Sequence, residues 1–365
     1  MNTVMRVSMA ATMMLAAASG TALAKERLTY GSYLPPSHSS SKGIQAFIDT
    51  VKTKTNGDIV FEFYPSGSIA SGKTSLSAIQ DGLMDGGMLV NLYFPTEVPI
   101  NSIINDMSFW NADTRVISAA ISDTVVNDCP QCLAEFTKHN VHFLATYGAP
   151  PYNALCAAKP EGFTLKGKRM RVAGEDMGRW AQSIGAIPVN IPNSESYEAM
   201  QRKQVDCVIG AVSWLSSLSL VEVTETVLEM PMGAFQGGSL LNVSEEVWKR
   251  LSAKDRGILE DAAIIGIART VYAYLDEEKV ARVAAEKKGI TFLAPSKEMS
   301  DARAAFQELQ RTQSAKTAAG RGVKDGSKVA EALIANIAKW QKLIDDAKPD
   351  EAAYVQMLRT KIWGK

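Results

Sequence analysis

Three groups of residues have the types and spacing to do chemistry. Gly67-Ser68-Ile69-Ala70-Ser71-Gly72-Lys73-Thr74 fits the phosphate-binding pattern G-x-x-x-x-G-K-[ST]. In that role backbone amides would wrap phosphates, Lys73 would reach the β- and γ-phosphates, and Thr74 would hold Mg²⁺. Cys129-Pro130-Gln131-Cys132, with His139 and His142 close by, has the make-up of a metal or redox site, although no second Cys/His pair follows at finger spacing. Lys166, Lys168, Arg169 and Arg171 form a basic run in which alternation separates Lys168 and Met170 from Arg169 and Arg171. A guanidinium there would offer two parallel charge-assisted bonds to a carboxylate or sulfonate. Neither a G-x-S-x-G elbow nor an H-E-x-x-H helix occurs, so nucleophilic and zinc-hydrolase chemistry lack their usual supports.

Each group has a plainer structural role to set beside the chemical one. A Gly/Ser loop opening a helix accounts for residues 67–74, and no apolar strand ending in an isolated Asp stands out as the Mg²⁺ partner. Lys73 is then either a ligand contact or a solvated side chain. For the cysteines a structural disulfide is expected, with Cys132 joined to Cys129 or to Cys156. Cys207, inside an apolar strand, reads as a small core residue. His38, in a Ser-rich loop after the first strand, either faces a cleft or lies on the surface. Glu195 suits a helix start, and Asp206 is also read as structural.

The elements that must position these residues alternate between strand and helix. Residues 165–211 read as strand, helix, strand, helix, strand, with Met170-Arg171-Val172 the first strand and Val205-Asp206-Cys207-Val208-Ile209 the last. Earlier, a strand over Leu28-Thr29-Tyr30-Gly31-Ser32-Tyr33, a helix over 39–55, a strand over 58–64 and a buried strand at 88–90 give a second such unit. Residues 115–140 read as helical. Ligands gather at the carboxyl ends of parallel strands, which places Arg171 and Gly210 at candidate positions. Gly/Pro clusters at 147–151 and 235–238 mark two crossings between domains. Two crossings make the domains discontinuous, as in a two-lobed binding protein that closes by hinge motion.

The organising stretch resembles the substrate-binding subunit of tripartite ATP-independent periplasmic (TRAP) transporters. The resemblance rests on four pieces in order: Leu165-Lys166-Gly167-Lys168-Arg169-Met170-Arg171-Val172, Gly185-Ala186-Ile187-Pro188-Val189, Glu195-Ser196-Tyr197-Glu198-Ala199-Met200-Gln201, and Val205-Asp206-Cys207. It implies that Arg171 forks onto the carboxylate of an organic acid, and that a long helix at 253–287 bridges both domains at the hinge. This chain departs from the family in two ways. Gly210 stands where an asparagine commonly helps hold the carboxylate, which should open space beside Trp214. Asn153 falls near the second arginine of sialic-acid binders, so that ligand is not expected. Asn91, Tyr93, Trp214 and Phe235 are the further candidate walls of the cleft.

The chain has 365 residues, 46% hydrophobic and 21% charged, with 39 basic against 39 acidic side chains. This neutral balance suits a small anion better than nucleic acid. Residues 1–24 carry one charge, Arg6, then an apolar run and Ala22-Leu23-Ala24, the pattern of an export signal cleaved after Ala24. The expectation is an α/β periplasmic binding protein with lobe I at 25–150 plus 237–275. Lobe II is expected at 151–236 plus 276–365, including the C-terminal helices. It should be a monomer that needs no cofactor or metal and delivers an organic acid to TRAP permease subunits. An exported nucleotide-binding enzyme using residues 67–74, or a receptor serving a sensor kinase or another importer, are the alternatives.

Overall fold

The computed structural model describes residues 26–110 and 113–364. The export signal therefore lies outside the described residues. The first lobe begins with β1 (Glu26–Gly31), α1 (Ser39–Lys54), β2 (Ile59–Tyr64), α2 (Ser75–Gln80) and β3 (Gly86–Gly87). It continues with α3 (Pro99–Asp106), α4 (Thr114–Asp123), α5 (Pro130–Lys138) and β4 (Val141–Gly148). The second lobe holds β5 (Asn153–Cys156), β6 (Arg169–Val172), α6 (Gly174–Ser183), β7 (Ile187–Asn190), α7 (Ser196–Gln201), β8 (Cys207–Gly210), α8 (Trp214–Ser217) and β9 (Thr226–Leu228). The chain returns to the first lobe through β10 (Gln236–Ser244) and α9 (Glu245–Arg250). It ends with α10 (Ala253–Lys287), β11 (Thr291–Leu293), α11 (Lys297–Gly320), α12 (Gly326–Ala347) and α13 (Glu351–Lys361).

Lobe I is built on the parallel sheet β2-β1-β3 beside the antiparallel pair β10-β4. Asn242 joins the two: its side chain accepts from Gly87 N–H at 3.1 Å and donates to Gly87 O at 2.7 Å. Lobe II carries a six-stranded sheet ordered β11-β9-β5-β8-β6-β7, with β6, β7 and β8 parallel and β5 antiparallel between β8 and β9. Both crossings fall on one ladder, because Gln236 pairs with Gly148 where β10 meets β4. The two connections therefore run side by side, which favours a hinge over a twist.

The 35-residue α10, roughly 50 Å long at 1.5 Å per residue, spans the two lobes. Its first half packs on α1 so closely that a Cβ on Gly43 would sit 2.5 Å from Gly266 O. Its second half meets lobe II, where Glu278 accepts from Ser213 N–H at 2.9 Å and Arg282 pairs with Glu229. Among the described residues no helix is long and apolar enough to cross a membrane.

Four sequence expectations change. Residues 115–140 are not one helix, because α4 runs into a wide turn at Thr124–Asp128 and α5 restarts at Pro130, which has no N–H to continue the ladder. The strand at 88–90 shrinks to Gly86–Gly87 with a single bridge at Leu89 to Ser239. The last two helices pack on lobe I: Trp340 of α12 donates to Asp123 of α4, and Tyr354 of α13 donates to Arg115 O, while α11 touches both lobes. Finally, Cys207 is not a free core thiol. The disulfides are Cys129–Cys132 and Cys156–Cys207, the second joining residues directly opposite on β5 and β8. In the chain-entropy picture its longer loop constrains the unfolded chain by about 4 kcal/mol, against about 2 kcal/mol for the short loop.

Candidate functional site

Arg171 stands on β6, a central strand of the lobe II sheet, and is only 1% exposed. Its Nε donates to Ile191 O at 2.9 Å and its Nη1 to Ile209 O at 3.2 Å, so carbonyls after β7 and on β8 hold the guanidinium flat. The Trp214 ring lies against it, with 5.6 Å from Cζ to the ring centroid. Among the described residues Arg171 forms no ion pair. A buried charge facing only carbonyls and a π-face is poorly compensated, and it is a strong attractor for an anion.

The cavity at Arg171 is walled by aromatic rings from both lobes: Tyr33, Tyr93, Tyr147, Phe235 and Tyr274 face Tyr152 and Trp214. Its volume is about 20 Å³, space for roughly one water. Admitting an organic acid requires the lobes to part or the rings to turn. Outside it lies a wider vestibule of about 200 Å³, lined by Lys73, Tyr93, Asp106, Glu175, Asn190 and Arg321.

The structure brings Arg171, Tyr93, Trp214 and Phe235 together on the cavity and leaves the other candidates around it. Lys73 is exposed on the vestibule. Asn91 is buried in the short turn Asn91–Tyr93, and neither of its side-chain polar atoms has a hydrogen-bond partner among the described residues. Asn153 pairs in register with Gly210 across β5 and β8. The space left by Gly210 is not open, since a Cβ there would lie 2.3 Å from the Trp214 ring. The missing side chain admits the indole instead of the ligand. His38 is neither a surface residue nor a cleft wall. It is buried behind the cavity, capping α1, with Nδ1 accepting from Ser40 N–H at 3.2 Å.

Tyr33, Tyr147, Tyr152 and Tyr274 were missed by sequence reasoning. Tyr147 and Tyr152 flank the Gly/Pro cluster of the first crossing, and Tyr274 sits on the bridging helix, so a tyrosine at a hinge was the available signal. The other chemical candidates are accounted for by structure. Within residues 67–74, Gly67, Ser68 and Thr74 donate their amides to Ser32 O, Pro65 O and Ser71 O, and Ser71 N–H is taken by the Thr74 hydroxyl. Such amides are not free to wrap a phosphate. Gly72 allows Tyr93 to approach, since a Cβ would meet that ring at 2.8 Å. Cys129 and Cys132 are joined to each other, His139 bonds Gln80 and Glu97 O, and His142 pairs with Glu245 while stacking on Trp248.

A polar latch closes the lobes beside the vestibule. Asp176 of α6 accepts from Ser108 of lobe I at 2.6 Å and from Gln310 of α11, and it pairs with Arg179 at 3.2 Å. Arg321 reaches Asp106 of α3 at 3.0 Å and Glu175 of α6 at 3.1 Å, bridging the lobes. Burial pushes Asp176 up to about 7 against the Ser108 hydrogen bond and Arg179, and pushes Asp106 up to about 6 against Arg321. Beneath the latch, Phe306 of α11 packs on Phe109 and Trp180 at 4.8 and 5.4 Å.

Two α/β lobes, a double hinge strand, a bridging helix and an enclosed cation among aromatic rings define a two-lobed solute-binding protein. Residues 30–317 match the bacterial extracellular solute-binding proteins, family 7 (DctP). The chain belongs to that family, which supplies the extracytoplasmic receptors of TRAP transporters. It is 26% identical over 273 residues, 73% of this chain and 78% of the relative, to the outer membrane transporter protein TsaT of Comamonas testosteroni. Its fold is similar to a marine metagenome TRAP solute-binding protein specific for aromatic acids, in complex with 3-hydroxybenzoate: TM-score 0.76, 20% identity, 86% of this chain and 98% of that one. A TRAP solute-binding protein of Rhodoferax ferrireducens with copurified benzoate is similar too, at TM-score 0.75 and 19% identity over 87% of this chain and 99% of that one.

The latch predicts a pH dependence. Both carboxyls bind protons more tightly folded than unfolded, so the stability they contribute is full below the ordinary value of 3.8 and is lost as pH rises through 6 to 7. Asp176→Asn removes the larger share while keeping the shape. Its melting temperature relative to wild type should rise between about pH 5 and about pH 8, by at most about 1.4 kcal/mol of stability per pH unit. The buried His38 and His142, held low by burial, work in the opposite direction but cancel in the difference. A variant that tracks wild type in parallel across this range would contradict the assignment.

Proposed function

We propose that this chain is the periplasmic receptor of a TRAP transporter for a small aromatic carboxylate. The acid is clamped between the lobes with its carboxylate on Arg171 and its ring among the tyrosines, then handed unchanged to the membrane permease. One observation carries the reading: a fully buried arginine, without a carboxylate partner among the described residues, on a cavity walled mainly by aromatic rings. The benzoate and 3-hydroxybenzoate bound by the two similar structures support it. The protein acts as a monomer and catalyses no reaction. Its hinge passes through the two crossings, near residues 148–152 and 233–237, and its leader is removed after Ala24, so intact mass should begin at Lys25. Nucleotide binding at residues 67–74 draws no support from a loop in which the amides of Gly67, Ser68, Ser71 and Thr74 are already engaged.

Removing one partner of a buried charged pair costs roughly 2–5 kcal/mol, so Arg171→Ala should weaken binding of benzoate by upward of roughly twentyfold. Arg171→Lys keeps the charge without the fork and should recover only part of that loss. Lys73→Ala, on the vestibule, should change affinity less than either. Calorimetric titration of the three folded variants decides: undiminished affinity in Arg171→Ala, or a larger loss in Lys73→Ala, overturns the reading.

A further inference from the structure

Arg171 does not by itself complete the shell of an anion. The guanidinium spends one N–H of Nε on Ile191 O and one of Nη1 on Ile209 O, and its Nη2 has no hydrogen-bond partner among the described residues. A carboxylate docked on the unspent side brings about four lone-pair sites, of which the planar fork answers about two. The cavity there has space for roughly one water, so the other lone pairs depend on donors from the protein.

Trp214 supplies a candidate donor. It is buried on the same cavity, and its Nε1–H, which can only donate, meets no acceptor among the described residues. A buried donor left without a partner costs free energy until an acceptor arrives. An unpartnered indole alone would decide little, since Trp180 has one too. Trp214 differs in lying against the charge, with Arg171 Cζ 5.6 Å from its ring centroid. Gly210 sets its orientation: a Cβ there would lie 2.3 Å from Cε3 and 2.5 Å from Cζ3. That benzo edge rests on β8, so the opposite edge, which carries Nε1, is turned away from the strand.

The backbone that carries this ring is held from the bridging helix. Glu278 of α10 accepts the Ser213 N–H at 2.9 Å, one residue before Trp214. Its neighbour Glu277 accepts from the Ser39 hydroxyl at 2.5 Å and pairs with Lys42, both on α1 of lobe I. The indole is thus seated by the helix that joins the lobes, whereas Arg171 is seated by the lobe II sheet.

We propose that the Trp214 indole N–H is the second donor to the bound carboxylate, completing what the Arg171 fork begins, and that Glu278 is the positioning residue that seats it. This rests on the carboxylate reading above and adds a donor and its support. Among the described residues Glu278 forms no ion pair with Arg171; it acts through Trp214.

Nuclear magnetic resonance and calorimetry with benzoate test both halves. In ¹⁵N-labelled wild type the six tryptophans give indole N–H resonances, and that of Trp214 is the one lost in Trp214→Phe. Benzoate should move it downfield, as a new hydrogen bond does. Trp214→Phe should weaken benzoate binding roughly tenfold or more, the worth of a hydrogen bond to a charged group. Should that variant fail to fold, Trp214→Tyr identifies the resonance and the shift in wild type decides alone. Glu278→Ala should weaken binding by a similar factor, while Glu278→Gln, which keeps an oxygen for Ser213 N–H, restores most of it. In the Trp214→Phe background Glu278→Ala should cost little more, because its effect passes through the indole. A Trp214 resonance unmoved in protein saturated with benzoate would overturn the donor assignment. A Glu278→Ala loss of the same size with and without Trp214→Phe would mark a merely structural residue and overturn the positioning role. Wild type that does not bind benzoate at all would instead remove the aromatic-carboxylate reading, and this proposal with it.

Discussion

A guanidinium taken out of water without a counter-charge is the constraint on which the rest of this molecule depends. Arg171 is held by two backbone carbonyls and a tryptophan face, which orient it but do not neutralise it. The fold tolerates this because β6 lies inside a sheet whose neighbours supply those carbonyls, and because the disulfide between β5 and β8 staples the adjoining ladder. Gly210 then matters for what it admits: without a side chain, it lets Trp214 lie over the arginine. An anion entering this place meets a preformed partner in surroundings of low dielectric, where one charge pair counts for far more than on the surface. Ring walls on either side exclude water and favour a flat, apolar body behind the anionic group.

Closure has its own chemistry, separate from the ligand's. The latch of Asp106, Glu175, Asp176, Arg179 and Arg321 joins α3, α6 and the end of α11 beside the vestibule. Its two most buried carboxyls are held above their ordinary range by burial, so the closed arrangement carries an electrostatic penalty that grows with pH. Such a latch holds the lobes together without locking them. That is a useful property for a receptor that must release what it binds. Within lobe I, the β10–β4 ladder and the close α1–α10 approach at Gly43 and Gly266 tie the bridging helix to the sheet.

Much of this was legible in the sequence, and the failures have physical reasons. The βαβ alternation, the two crossings and the long helix at 253–287 follow from periodicity and from Gly/Pro punctuation, both local signals. The place of Arg171 on a strand of the second unit was legible because four short motifs in order set it in a family frame. The tyrosine cage was not, since Tyr33, Tyr147, Tyr152 and Tyr274 lie on separate elements and meet only after both lobes fold. The Cys156–Cys207 pair was hidden for the same reason: β5 is a four-residue strand whose antiparallel partner lies 51 residues on. Chain order alone puts α12 and α13 with lobe II, yet Asp123 and Arg115 of lobe I offer Trp340 and Tyr354 their hydrogen-bond partners. Residues 67–74 illustrate the opposite error, a pattern that matches by letters while the amides of Gly67, Ser68, Ser71 and Thr74 are already hydrogen-bonded.

The claim that Arg171 is the anion receptor is tested most directly by locating a bound acid. Crystals grown with para-bromobenzoate would mark the ring position by the anomalous signal of bromine. The account predicts a carboxylate on the Arg171 guanidinium, with the bromine inside the cage formed by Tyr147, Tyr152, Phe235 and Tyr274. A bromobenzoate whose carboxylate instead rests on Lys73 or Arg321 in the vestibule, with Arg171 untouched, would contradict it.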